Sequence, residues 1–142
     1  MRFWDASAVV PLLLEEARSE TMRAESAERP QLVVWWGTVV ECTSAISRRE
    51  RSGALEPSEA TEALETLDRL TRDWREVPPT PTLRDDAQRL VRVHDLRARD
   101  ALQLAAARIA ADGEPGALPF VTLDERLALA ASREGFPLLG AG

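Results

Sequence analysis

Lysine is missing from this chain; all 18 of its basic residues are arginine. Acid clusters that work through a phosphoaspartate, as in receiver domains and haloacid-dehalogenase-type phosphatases, rely on a lysine beside the phosphoryl group. That chemistry is excluded here. Cysteine is nearly missing too. Cys42 stands alone, which rules out an intrachain disulfide and fits a reducing cytoplasm. No apolar run approaches the ~20 residues that span a bilayer, so no membrane attachment is expected. The opening "MRFWDASAVVPLLLEE" has one arginine and a short apolar run. Asp5 interrupts that run and no small-residue cleavage site follows, so a secretory signal is not expected either. An excess of positive charge is also lacking. The formal net charge is −6, which argues against coating nucleic acid by bulk electrostatics. It leaves room for a nucleic-acid enzyme whose acidic site is neutralised by metal ions. Repeats and low-complexity linkers are absent. With 142 residues, 44% hydrophobic and 30% charged, the chain reads as one soluble domain over residues 1–142.

What is present alternates. "MRFW", "QLVVWW", "FVTL" and "FPLL" are short apolar strand candidates, with a very short one at Val77. Helical patterns separate them. "AVVPLLLEE" is expected to be capped by Ser7, with Pro11 near its first turn. "ARSETMRAESAE" follows, then "VVECTSAISRRERSG", closed by Gly53. "EPSEATEALETLDRLTRDW" should bury Ala60, Ala63, Leu64, Leu67 and Leu70. "TLRDDAQRLVRVHD" leads to "RARDALQLAAARIAAD", a helix opened by Asp100 and apolar from Ala101 to Ala111 except for Gln103 and Arg108. Its face of Leu102, Ala105, Ala106 and Ile109 marks it as buried. "DERLALAASREG" is the last helix. Short strands alternating with helices predict an α/β three-layer sandwich: a central parallel sheet flanked by helices on both faces.

Four acids fall at one edge of such a sheet. Asp5 ends the first strand, Glu41 lies in the first helical turn after "LVVWW", and Asp124 follows "FVT". Asp100 opens the buried helix, which can pack along the same edge. Ligands of open parallel sheets bind outside the carboxyl ends of the strands. Each acid also has a structural reading. Asp5 can help form a turn, Thr38 and Glu41 match the T-x-x-E capping box, and Asp100 and Asp124 suit helix N-caps. Together, without a cation, they would repel one another and lose hydration. A divalent ion removes that conflict. A site of hard oxygen donors without His or Cys suits Mg²⁺ or Mn²⁺, not Zn²⁺. After Asp5 the chain runs Ala6-Ser7, not the Asp-x-Asp of the phosphatases.

"FWDASAVV", "VVECTSAISRRERSG", "LRARDALQLAAA" and "FVTLDERLALAA" resemble the four signature segments of PIN domains, above all the VapC toxins of bacterial toxin–antitoxin pairs. The resemblance covers nearly the whole chain in the right order. It implies a PIN-like fold and a Mg²⁺- or Mn²⁺-dependent endoribonuclease that hydrolyses RNA phosphodiester bonds with a metal-activated water. It also implies a homodimer silenced by a cognate VapB-type antitoxin. The family's acids carry over to Asp5, Glu41, Asp100 and Asp124 as catalytic and metal-binding residues. Its small hydroxyl positions carry over to Ser7 and Thr122, in a supporting role. The alternative is a non-catalytic PIN-like binding protein whose acids only cap helices.

The remaining polar and aromatic residues divide simply. Arg97 and Arg99 precede Asp100 and are candidates for RNA contact. Arg48, Arg49 and Arg51 read as a solvated helix end. His94, the only histidine, is expected at a surface or cap position, and Cys42 as a small buried hydrophobe. Trp35 and Trp36 should point to opposite faces, at least one into the core. Leu12, Leu13 and Leu14 cannot all share one face of a surface helix, so at least one is expected to meet a second surface, which the resemblance implies is another copy of the chain or the antitoxin.

Overall fold

A computed structural model describes residues 1–140. Strand β1 (Arg2–Trp4) leads to helices α1 (Ala6–Leu13) and α2 (Ser19–Glu28). Strand β2 (Leu32–Trp35) follows, then α3 (Thr38–Arg51) and α4 (Pro57–Asp73). Next come β3 (Arg75–Val77), α5 (Pro81–Val93) and α6 (Ala98–Ala111). A 3-10 turn (Pro115–Ala117) precedes β4 (Phe120–Thr122), α7 (Glu125–Arg133) and β5 (Leu138–Gly140). The five strands form one sheet in the order β3-β2-β1-β4-β5, and every pairing is parallel. The expected three-layer α/β sandwich is what forms. No described helix is long and apolar enough to cross a membrane.

The three central strands, β1, β2 and β4, hold despite their shortness because both of their faces are buried, whereas edge strand β3 leaves Arg75 and Glu76 exposed. Successive side chains of a strand point to opposite sides. Phe3, Val33 and Phe120 go to one side, beneath Leu90 of α5, Leu104 of α6 and Leu127 of α7. Trp4, Val34 and Val121 go to the other, against Val9, Met22, Ile46 and Leu67 of α1–α4. A solvent-facing strand needs polar alternation; these three central strands do not, which is why their sequences are mainly apolar.

Several local expectations change. Helix α1 is capped by Asp5, not Ser7: Asp5 Oδ1 accepts the Ser7 N–H at 2.8 Å. Helix α6 starts earlier than expected, at Ala98, so Asp100 sits inside the first turn and accepts the Arg97 N–H at 3.3 Å. On α6 the buried side is Ala101, Leu104 and Ala105, while Leu102 is half-buried and Ile109 is exposed. On α4, Ala60, Ala63 and Leu67 are buried, but Leu64 is exposed and Leu70 only half-buried. Leu12 and Leu13 pack against their own core and Leu14 is buried, because the helix ends at Leu13 and the chain turns extended at Leu14. The leucine triplet therefore does not require a second chain.

His94 takes the cap position expected of it, closing α5 with its backbone N–H donating to Leu90 at 2.9 Å, but its side chain is buried, not at the surface. Its Nε2 lies 2.7 Å from Glu134 Oε2, and Glu134 also receives Arg89 and Arg108, both at 2.8 Å. Burial opposes ionisation of Glu134, but Arg89, His94 and Arg108 hold its carboxyl below the ordinary value. This network joins α5, α6 and the end of α7. It explains why Arg108 interrupts an otherwise apolar helix.

Candidate active site

Chain order and sheet order disagree at β1. The chain runs outward from β1 through β2 to β3, then returns to the other side of β1 as β4. Such a reversal opens a crevice at the carboxyl ends of the strands. Asp5 stands at its centre, fixed by its backbone N–H, which donates to Val121 of β4 at 3.1 Å. Glu41 comes in on the first turn of α3. The β2–α3 turn depends on Gly37, where a Cβ would lie 2.5 Å from the Trp35 Nε1. Asp124 follows β4 and caps α7, with its Oδ1 accepting the Leu127 N–H at 2.9 Å.

Asp5, Glu41, Asp100 and Asp124 all line one cavity of about 510 Å³, together with Ser7. Thr122 is buried behind it. The hydroxyls tie the two sides together. Ser7 Oγ donates to Asp5 Oδ2 at 2.7 Å, accepts the Leu123 N–H at 2.9 Å and lies 3.3 Å from Thr122 Oγ1. Thr122 Oγ1 in turn accepts the Asp124 N–H at 3.0 Å.

Glu41 is not part of a capping box. Gly37 occupies the cap position of α3, and no side chain caps that helix. Thr38 and Glu41 instead both accept from Gln103 of α6, at 3.0 and 3.4 Å. Of the arginines, Arg99 lines the cavity, its Nε 4.0 Å from Asp100 Oδ1. Arg97 does not line it. Two residues read as a solvated helix end do: Arg48, and Arg49, which pairs with Glu16. The signal for them was present. Glu41, Ser44, Ala45, Arg48 and Arg49 are spaced i, i+3, i+4, i+7, i+8, one helix face. Trp35 is buried, whereas Trp36 is 53% exposed.

Electrostatics follow from the crowding. Burial pushes the Asp5 carboxyl up, against the hydrogen bonds from Thr122 and Ser7. Burial and then the charge of Asp5 raise Glu41 to about 7. Asp100 is also raised, again first by burial. Cys42 beneath them is pushed by burial to about 12 and stays a buried thiol. Among the described residues, no three acids stand close enough to enclose an ion as they are. The donors nevertheless suit a hard cation: they are carboxylate and hydroxyl oxygens, with no imidazole or thiolate lining the cavity.

The raised carboxyls predict how the metal-free protein responds to pH. A native carboxyl that holds its proton longer than the unfolded one stabilises the fold below its ordinary value and loses that stabilisation as pH rises through the native one. For Glu41 the window runs from the ordinary 4.5 to about 7. Urea unfolding in EDTA should therefore show stability falling between pH 5 and pH 8, by roughly 1–2 kcal/mol from Glu41 after solvent screening. Glu41→Gln should flatten the profile and stabilise the metal-free protein at pH 8. A loss of ~1 kcal/mol in that variant, the usual worth of a hydrogen bond, would favour a purely structural role for Glu41 as an acceptor for Gln103.

The geometry can be set beside known proteins. The structure is similar to VapC20 of Mycobacterium tuberculosis, a Sarcin-Ricin loop cleaving toxin, at 22% identity and TM-score 0.68, over 96% of each chain. It is similar to FitAcB from Neisseria gonorrhoeae at 14% identity and TM-score 0.68, covering 99% of this chain and 97% of that one. It is also similar to PAE2754 from Pyrobaculum aerophilum at 20% identity and TM-score 0.64, over 91% and 83%. At these identities the likeness concerns the fold. No curated protein matches the chain in sequence. The model of the PIN domain family matches residues 2–132, from the first strand through nearly all of the last helix. By that match, which takes in every acid lining the cavity, the chain belongs to the PIN domain family.

Proposed function

We propose that this PIN domain is a metal-dependent endoribonuclease, the toxin of a VapBC-type toxin–antitoxin pair. The observation that carries the reading is the convergence of Asp5, Glu41, Asp100 and Asp124 on one cavity that also holds arginines. Similarity to a sarcin-ricin loop cleaving toxin supports RNA as the substrate. The cap-only alternative has observations in its favour, since Asp5 and Asp124 cap helices and Asp100 takes part in the capping box of α6. It leaves Glu41 unexplained, because Glu41 caps nothing and is held against its charge by burial.

Asp5, Glu41 and Asp100 would hold Mg²⁺ or Mn²⁺, with Asp124 supporting. Bound there, such an ion supplies Lewis-acid activation of water and positive charge for the scissile phosphate. Ser7 and Thr122 fix the orientation of Asp5 and relieve part of its burial through their hydroxyls. Arg48 and Arg99 offer charge to the RNA backbone; Arg49 offers less, being paired with Glu16. Attack is in line at phosphorus, with no covalent enzyme intermediate. The test is cleavage of a structured RNA by the purified chain in Mg²⁺, in Mn²⁺ and in EDTA. Cleavage should need either ion, and Mn²⁺ should raise the melting temperature. Equal cleavage in EDTA, or no thermal response to Mn²⁺, refutes the reading.

Phosphate contacts weaken binding without changing sequence choice. Arg48→Ala and Arg99→Ala should each raise the Kd for RNA about equally across sequences and lower the salt slope by about one. Unchanged slopes would place the RNA elsewhere. The antitoxin partner would lay an apolar segment near the cavity. Val40, exposed at the cavity, and Trp36, exposed on the turn between β2 and α3, supply apolar surface for it or for a second copy of this chain. Sedimentation at micromolar concentration should show a homodimer; a strict monomer refutes that part alone.

A further inference from the structure

Gln103 is 1% exposed, on a helix whose other buried residues beyond the first turn are leucine and alanine. A buried amide is costly there unless its groups are paired. Only one side of it is. Nε2 donates to Thr38 Oγ1 at 3.0 Å and reaches Glu41 Oε1 at 3.4 Å, while Oε1 has no hydrogen-bond partner. The amide nitrogen carries two hydrogens, one for each acceptor. Two acceptors on α3 therefore fix the amide, and the orphaned oxygen is the cost of that orientation.

The position matters as much as the bonds. Gln103 lies three residues after Asp100, one turn along the same helix. Holding Glu41 through Gln103 ties the first turn of α3 to the helix that carries Asp100. No other side-chain hydrogen bond joins α3 to α6 among the described residues. We propose that Gln103, oriented by Thr38, is a positioning residue that sets the carboxylate of Glu41 against Asp100 and so governs cation occupancy of the cavity. The assignment rests on the reading of that cavity as a metal site.

The experiment is titration of Mn²⁺ into the purified chain by calorimetry and by thermal melting, with no RNA present. The variants are Gln103→Met, Thr38→Val, Thr38→Ser and the double Gln103→Met/Thr38→Val. Methionine keeps the length and removes the donors, and also removes the orphaned oxygen, so unfolding in EDTA should be little changed. The Mn²⁺ concentration for half-saturation should rise ~10-fold or more in Gln103→Met, the range seen when a partner of a metal ligand is lost. Thr38→Val should shift it in the same direction, Thr38→Ser should keep the wild-type response, and the double variant should be no worse than Gln103→Met alone. If Gln103→Met does not fold, the contrast between Thr38→Val and Thr38→Ser decides. Wild-type Mn²⁺ binding in folded Gln103→Met, or equal behaviour of Thr38→Val and Thr38→Ser, overturns the positioning role. A wild-type chain that binds no Mn²⁺ overturns the metal site beneath it.

Discussion

Asp100→Asn should reduce RNA cleavage by at least ~100-fold while leaving the fold intact, a loss of about 2.7 kcal/mol of transition-state stabilisation. Asp100 gives the fold one hydrogen bond, from the Arg97 N–H at 3.3 Å, and an asparagine oxygen can accept the same bond. What the amide lacks is charge. Asp100 lines the cavity and contributes to the repulsion that helps raise Glu41. That repulsion is useful only if a cation is there to offset it. The measurement pairs single-turnover cleavage with circular dichroism and urea unfolding of the same preparation. Near wild-type cleavage by a folded, nuclease-free variant would remove Asp100 from the chemistry.

The largest effect on stability should come from Phe120→Ala. Phe120 is fully buried on β4, stacked on Phe3 at 5.3 Å between ring centroids and tilted against Phe136 at 5.7 Å. Strand β4 has only three residues, so its hold on the sheet depends on side-chain burial more than on its few ladder bonds. Removing the ring should cost ~3–5 kcal/mol, a large share of the ~5–15 kcal/mol typical of a domain. Because Asp124 follows that strand by two residues, cleavage should weaken at temperatures where the variant is still mostly folded. Urea unfolding measures the first effect. A cost below ~1 kcal/mol would mean that the aromatic cluster is dispensable.

Much of the site was legible because its acids are tied to strand ends. Asp5, Glu41 and Asp124 follow apolar runs that can only be buried strands, and parallel strands deliver their carboxyl ends to one edge. Local hydrogen-bond assignments were less legible. Thr38 and Glu41 fit a capping box by spacing, but Gln103, 65 residues away from Thr38, competes for both acceptors. Arg48 and Arg49 look like charges at a helix end until the face they share with Glu41 is seen to border the cavity. His94 and Glu134 are 40 residues apart, and nothing local to His94 announces that partner.

Hydrophobic periodicity and chain-local turn chemistry specify the elements, their parallel arrangement and the short list of acids without reference to distant residues. Which polar groups meet is set by packing between distant elements. Asp5 is joined to Thr122 through Ser7, Glu41 to α6 through Gln103, and Arg108 to the end of α7 through Glu134. Each link spans helices or strands far apart in the chain. Burial makes each costly to leave unpaired, so packing rather than local sequence selects the partner.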